Sequence, residues 1–179
     1  VVDASRAHVF LRAARHGLPL MIAIIGGESH RFQPFVELYH RALREFGHPA
    51  LPVGVHSPGH IAESDELARD QLFAHMKAMR DKIGAERGWG PMSRAEYDHS
   101  AGPSGALYVG SPETVARKIA STARTLGLDR FDLKYSAGTL PHELKMRSIE
   151  LYGTEVIPRV HELLAAAPVV SAPAVWLSA

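Results

Sequence analysis

Apolar residues fall into three short runs, and behind each run they recur at a helical interval. Leu20–Ile25 is a continuous apolar stretch, as expected of a parallel strand buried on both faces, and it ends in Gly26-Gly27. Behind it Phe35, Tyr39, Ala42 and Phe46 share one helical face, and Gly47 stands where a helix C-cap is expected. Leu51–His56 reads as a second short strand. The helix after it carries Leu72, Met76, Met79 and Ile83 on one face, with Ser64 as its N-cap. Ser111-Pro112-Glu113 marks another helix start: a capping serine, a proline in the first turn and an acid beside the helix dipole. That helix buries Val115, Ile119, Ala123 and Leu126 and stops at Gly127. The third strand, Arg130–Ser136, passes Gly138 into a long helix with Ile149, Tyr152, Val156, Val160 and Leu163 on one face. Pro158 should kink that helix or end its first part.

Before the first strand, Ser5–His16 has helical character and ends at Gly17, and Val1-Val2 reads as the stub of a preceding strand. Glu86–Ala106, rich in Gly, Pro and Ser, reads as a loop. Residues 1–165 form one domain on this reading. Residues 166–179, rich in Ala, Pro and Val, are expected to be a disordered tail. Repeated strand-then-helix units imply parallel strands joined by right-handed crossovers. An open doubly wound sheet and part of a (β/α)₈ barrel both fit. A complete barrel needs about 250 residues, so 179 residues supply about half of one.

Composition narrows the function classes. Apolar residues make up 46% and charged residues 22%, ordinary for a globular protein, and the formal charge is +1. Basic and acidic residues are interleaved, which argues against nucleic acid or an anionic membrane as partner. With no cysteine there is no disulfide, no thiolate metal site and no cysteine nucleophile, which suits a cytoplasmic location. The first residue is Val rather than Met, as expected of a cleavage product or part of a longer chain. No G-x-S-x-G elbow or phosphate-binding P-loop is present, which argues against an unrelated small α/β protein such as an open-sheet hydrolase.

Several segments share a family wording. They are Gly17-Leu18-Pro19 with its apolar strand, Glu37-Leu38-Tyr39, Gly47-His48, and VGSPETVARKI at Val109–Ile119. Phe131–Gly138 and Glu155-Val156-Ile157-Pro158 complete the series. In this order the segments resemble the bacterial luciferase-like flavin-dependent monooxygenases. The resemblance implies that the stub and three strands are strands five to eight of a TIM barrel, its C-terminal half. It implies reduced FMN, or the deazaflavin F420, at the C-terminal ends of the strands, with a small organic substrate and O2. It also implies association with the missing half or a homo-oligomer. Oxygen activation and hydride transfer are the reactions implied, with the flavin carrying the chemistry.

On that reading the loop at Asp3-Ala4-Ser5-Arg6 grips the flavin phosphate: Ala4, Ser5 and Arg6 offer helix N-terminal N–H groups, a hydroxyl and a guanidinium. Asp3 departs from the small residues that relatives place there, and Asp3 or Ser5 serves equally as an ordinary N-cap. Ile25, Gly26 and Gly27 form the mouth of the barrel, where glycine admits a flat ring or simply makes a turn. His56 ends the second strand and can bond to flavin or substrate; Ser57 and His60 follow it. The Ser-Pro-Gly between His56 and His60 denies them a shared helix face, so no metal site is expected. Lys134 and Ser136 point either into the barrel or, for Lys134, toward Asp132 at the surface. Glu86–Ala106, with Trp89 and Tyr97, is either a lid or an irregular excursion. No catalytic acid or base is assignable. The competing reading is a non-catalytic half-barrel that self-associates as an interaction module.

Overall fold

The computed structural model describes residues 4–166, and side chains from residue 7 onward. Asp3, the strand stub at Val1-Val2 and the tail beyond Ala166 lie outside the described residues. The elements run α1 (Ala4–Arg15), β1 (Leu20–Ala23), a 3₁₀ turn (Ser29–Phe32), α2 (Gln33–Glu45), β2 (Val53–Ile61) and α3 (Asp65–Arg87). Then follow α4 (Arg94–Ala101), β3 (Tyr108–Gly110), α5 (Pro112–Leu126), β4 (Arg130–Lys134), α6 (His142–Leu151), a π-helical turn (Tyr152–Val156) and α7 (Ile157–Ala165).

All strand pairs are parallel. β2 is central: Leu20 of β1 pairs with Val53 on one side, and Arg130 of β4 pairs with Gly54 on the other. β3 pairs with the last three residues of β2, from Gly59 to Ile61. The fold is thus α/β, with parallel strands alternating with helices, as the periodicity predicts.

One face of the sheet is covered. Leu20, Ile22, Ile24, Val53 and Val55 bury against Phe10 and Ala14 of α1 and Phe35, Val36, Tyr39 and Leu43 of α2. Phe131 and Leu133 of β4 pack toward Ile119, Val156 and Val160 of α5, the π turn and α7. The alternation of strand side chains puts Met21, Ala23 and Ile25 on the other face, with Gly54, His56 and Pro58 of β2 and Arg130, Asp132 and Lys134 of β4 in register. Met21 lies across Gly54, where an added Cβ would come within 2.8 Å of its Cε. This inner face is open: Met21 is 45% and Ile25 69% exposed.

Three expectations need correction. The second strand runs beyond His56 to Ile61, through Ser57-Pro58-Gly59. The supposed loop Glu86–Ala106 contains the end of α3 and all of α4, which Ser93 caps by accepting from Glu96 N–H at 3.1 Å. And β3 is an additional short strand.

Proline survives inside β2 because of hydrogen-bond parity. Ile24 N–H donates to His56 C=O and Leu20 N–H to Pro52 C=O, so even-numbered β2 residues face β1. The next acceptor on β1 is Ile24 C=O, which a residue other than proline at position 58 would satisfy with its N–H. Pro58 has none, and Ser57 Oγ donates to Ile24 C=O instead, at 2.9 Å. A serine with no exposed surface is explained in this way. Pro158 is accommodated differently. The helix widens just before it, with Ile157 N–H reaching back to Tyr152 C=O, so the chain bulges rather than breaks.

Candidate functional site

Because helices return antiparallel to the strands, the C-terminal ends of β1, β2 and β4 open at one end of the sheet. A cleft of about 560 Å³ lies there. Its floor is Ile25, Gly26 and Gly27 after β1, Pro58 of β2, and Lys134 and Ser136 at the end of β4. Its roof is Met76, Met79 and Ile83 of α3 with Trp89 and Met92 beyond it, and Ala106-Leu107 close one side. A mostly apolar concavity of this size with a few polar groups is suited to a small organic molecule.

The two glycines differ. Both face open space, with no atom within 4 Å of an added Cβ, but Gly27 has φ +76°, a left-handed turn that disfavours any side chain, whereas Gly26 has an ordinary φ. The turn reading explains Gly27 and leaves Gly26 as an unobstructed wall. An apolar wall beside an unobstructed glycine fits the face of a flat heterocycle such as a flavin ring.

Most of the roof is held in place by packing and ion pairs. Arg80 donates through Nη2 to Glu96 at 2.8 Å and through Nη1 to Gly90 C=O at 2.5 Å, tying α3 to α4. The Arg80 and Arg87 guanidiniums lie 5.4 and 5.3 Å from the Trp89 ring centroid. Asp81 accepts from Met92 N–H at 2.7 Å. Burial of its carboxyl is outweighed by the Lys77 and Met92 bonds, which hold it below the usual range. Tyr97 is no lid residue: fully buried, it packs against Phe73, donates to Arg69 C=O, and burial pushes its phenol up.

Ile25, Gly26 and Gly27 thus meet Lys134 and Ser136 in one cleft, although they are more than a hundred residues apart. Lys134 faces the cleft, and Asp132 pairs with Arg130 rather than with it. His56 lies on the inner face, one row below Pro58, beside Ala23 and Asp132. His60 does not join the site. It is buried inside β2, bonded through Nε2 to Gln71 Oε1 at 2.8 Å, and burial pushes its imidazole below the ordinary range. Ala4, Ser5 and Arg6 form the first turn of α1, whose short connection to β1 puts that turn at the cleft end of the sheet; their side chains lie outside the described residues. Among the described residues no group of three or more His, Asp or Glu is placed to hold a metal, and no helix is long and apolar enough to cross a membrane.

The sequence reading missed Pro58, Arg80 and Met92 as cleft residues. The signal for the roof was present in the Leu72–Met76–Met79–Ile83 stripe. Leu72 and Met76 are buried, and the same stripe emerges into the cleft at Ile83.

Comparison with known proteins agrees with this fold. A family model described as luciferase-like monooxygenase matches residues 1–130. The crystal structure of monooxygenase RslO1 from Streptomyces bottropensis superimposes with a TM-score of 0.69 at 20% identity, over 87% of this chain and 46% of that one. The oxygenating constituent of 3,6-diketocamphane monooxygenase from Pseudomonas putida, in complex with FMN, gives 0.62 at 19% identity, over 84% and 45%. The coenzyme F420-dependent tetrahydromethanopterin reductase from Methanopyrus kandleri gives 0.53 at 16% identity, over 88% and 49%. The chain therefore spans about half the length of the solved structures it matches. Among curated proteins there is no match.

Proposed function

The chain belongs to the luciferase-like monooxygenase family, and from that premise we propose that it is the C-terminal part of a flavin-dependent oxidoreductase. The observation that carries this reading is the cleft at the strand ends, with Gly26 open to it and an apolar roof above. Reduced FMN, or F420, supplies the redox chemistry when bound. Ile25, Gly26 and Gly27 would offer a flat wall to the flavin, and the helix N-terminus at Ala4–Arg6 would hold its phosphate. Met76, Met79, Ile83 and Trp89 would keep water from the bound group. His56 stands one row below as the group able to hold or pass a proton on the inner face. The substrate is a small organic molecule, with O2 as co-substrate in the monooxygenase case. The location is cytoplasmic.

Titration with FMN and F420, followed by visible absorbance and fluorescence, tests the proposal. A spectral shift on binding that weakens in Gly26→Val, with unchanged circular dichroism, is the expected result. Absence of any flavin affinity in the chain would sink it.

A second reading is favoured by the open inner face and by the outer edge of β4. Among the described residues β4 pairs only with β2, and clefts of about 420 and 300 Å³ flank its other side, lined by Phe131, Tyr152, Ile157 and Ile149. An unpaired edge beside apolar surface invites another strand. On this reading the chain is a non-catalytic half-barrel that associates with itself. Light scattering distinguishes the two: a stable monomer that binds flavin excludes self-association, and a flavin-blind dimer excludes the enzyme.

A further inference from the structure

The charges in the cleft do not balance. Glu96 is the only carboxylate among its described lining residues, and Arg80 already holds it. On the floor, Asp132 shares the inner face of β4 but is taken by Arg130 Nε at 2.8 Å. Lys134 comes next along the same face. Its neighbour in register is Pro58, whose ring offers no acceptor, and Ser136 follows it toward the mouth. The described lining residues therefore sum to one net positive charge: Arg80 in the roof pairs with Glu96, and Lys134 is left on the floor.

We propose that Lys134 is the anion anchor of this cleft, and that the substrate class it selects is a flat, apolar molecule bearing a single carboxylate or a comparable monoanionic group. The proposal rests on reading the cleft as the reacting end of a flavin enzyme, and it names that enzyme's substrate. An ammonium in a concave, largely apolar setting attracts an anion more strongly than one on an open surface. Ser136 adds a hydroxyl donor for the second carboxylate oxygen. Met76, Met79 and Ile83 of the roof offer an apolar surface for the body of the ligand.

The test compares naphthoate with naphthamide, which share a shape and differ in charge, by calorimetry and tryptophan fluorescence on the full chain. Lys134→Gln and Lys134→Arg are measured alongside, and FMN and riboflavin are titrated in parallel. Lys134 is exposed on its strand, so both variants should keep the wild-type unfolding midpoint. The expected result is tighter binding of the acid than of the amide. Lys134→Gln should weaken naphthoate about tenfold, leave naphthamide unchanged, and be rescued by Lys134→Arg. Equal binding of acid and amide, binding of neither, or an equal loss of both in Lys134→Gln would overturn the proposal. A loss of FMN but not riboflavin affinity in Lys134→Gln, with naphthoate unaffected, would assign the lysine to the flavin phosphate and overturn it too. The expected naphthoate pattern without any flavin binding would leave the anchor standing and sink the flavin reading instead.

Discussion

Lys118 on α5 should give this protein a stability that rises with pH where most proteins are flat. Its Nζ donates to Gly102 C=O at 2.6 Å and Leu107 C=O at 2.7 Å, and lies 4.9 Å from the Tyr108 ring centroid. It thereby fastens the connection from α4 to β3, whose Ala106 and Leu107 close the cleft. Burial pushes the amine down to about 8 from an ordinary 10.5, and the Arg69 guanidinium adds to the effect. Between those values the unfolded chain binds the proton and the folded one releases it. The folded state thus gains stability as pH rises through the interval, and the penalty is fully present below it. A shift of this size corresponds to about 3 kcal/mol across the window. Lys118→Met keeps the length of the side chain and removes the titration. Urea unfolding followed by far-ultraviolet circular dichroism, from about pH 7 to about pH 10, reads the difference. Wild type should gain stability over the variant as pH rises. The buried phenols of Tyr97 and Tyr108, pushed up by desolvation, act in the opposite direction near the top of the range, but equally in both proteins. Parallel curves for the two proteins would refute the reasoning.

Other consequences are as direct. Gly59→Ala would set a Cβ 2.3 Å from Tyr108 O and 2.5 Å from Leu133 Cδ1, so it should cost about 3 kcal/mol or more in chemical denaturation. Gly26→Ala, with nothing to meet, should stay within about 0.5 kcal/mol of wild type in the same assay. Ser57→Ala strands the carbonyl of Ile24 and should cost about 1–3 kcal/mol, whereas Ser57→Thr, which keeps the hydroxyl, should cost less; equal losses would count against the role assigned to Oγ. Asp65 accepts from Ser111 N–H at 2.6 Å and Thr114 Oγ1 at 2.9 Å. Burial raises its carboxyl, but these bonds outweigh it and hold it below the usual range. Its contribution is present above the ordinary 3.8 and disappears as pH falls through the lower folded value. Asp65→Asn should therefore destabilise near neutrality by about 1–2 kcal/mol and lose that deficit in strong acid, as thermal melts would show.

What could be read from sequence followed from how local each signal was. Ser111-Pro112-Glu113 and Gly127 frame α5 as predicted, because caps act within one turn: Ser111 Oγ accepts from Thr114 N–H, and Gly127 adopts φ +61°. β3 was illegible, being three residues between a turn and a cap, with its pairing to β2 made some fifty residues away. Pro and Gly ordinarily end strands, so the sequence marks a stop at His56, and only the position of β1 reveals why β2 continues. α4 was hidden by composition: a Gly- and Pro-rich stretch still holds eight helical residues once Tyr97 finds a buried place beneath α3. Among site residues, Gly26 and Lys134 were singled out by chemistry, but their convergence depends on a sheet order that no local pattern encodes. His56 and His60 looked equivalent in sequence. The three strand residues between them, Ser57 to Gly59, carry His60 under α3 while His56 stays partly accessible.

The substitution of a hydroxyl for an amide at Ser57-Pro58 has a mechanical consequence. Beyond Ile24 the first strand has no further backbone tie to β2, so Ile25–Gly27 leaves the sheet where one proline ring removes the next donor. The aperture thus begins one residue past the fully buried Ile24. A residue other than proline at position 58 could restore the missing amide, and the same two strands would then zip one step further and narrow the opening.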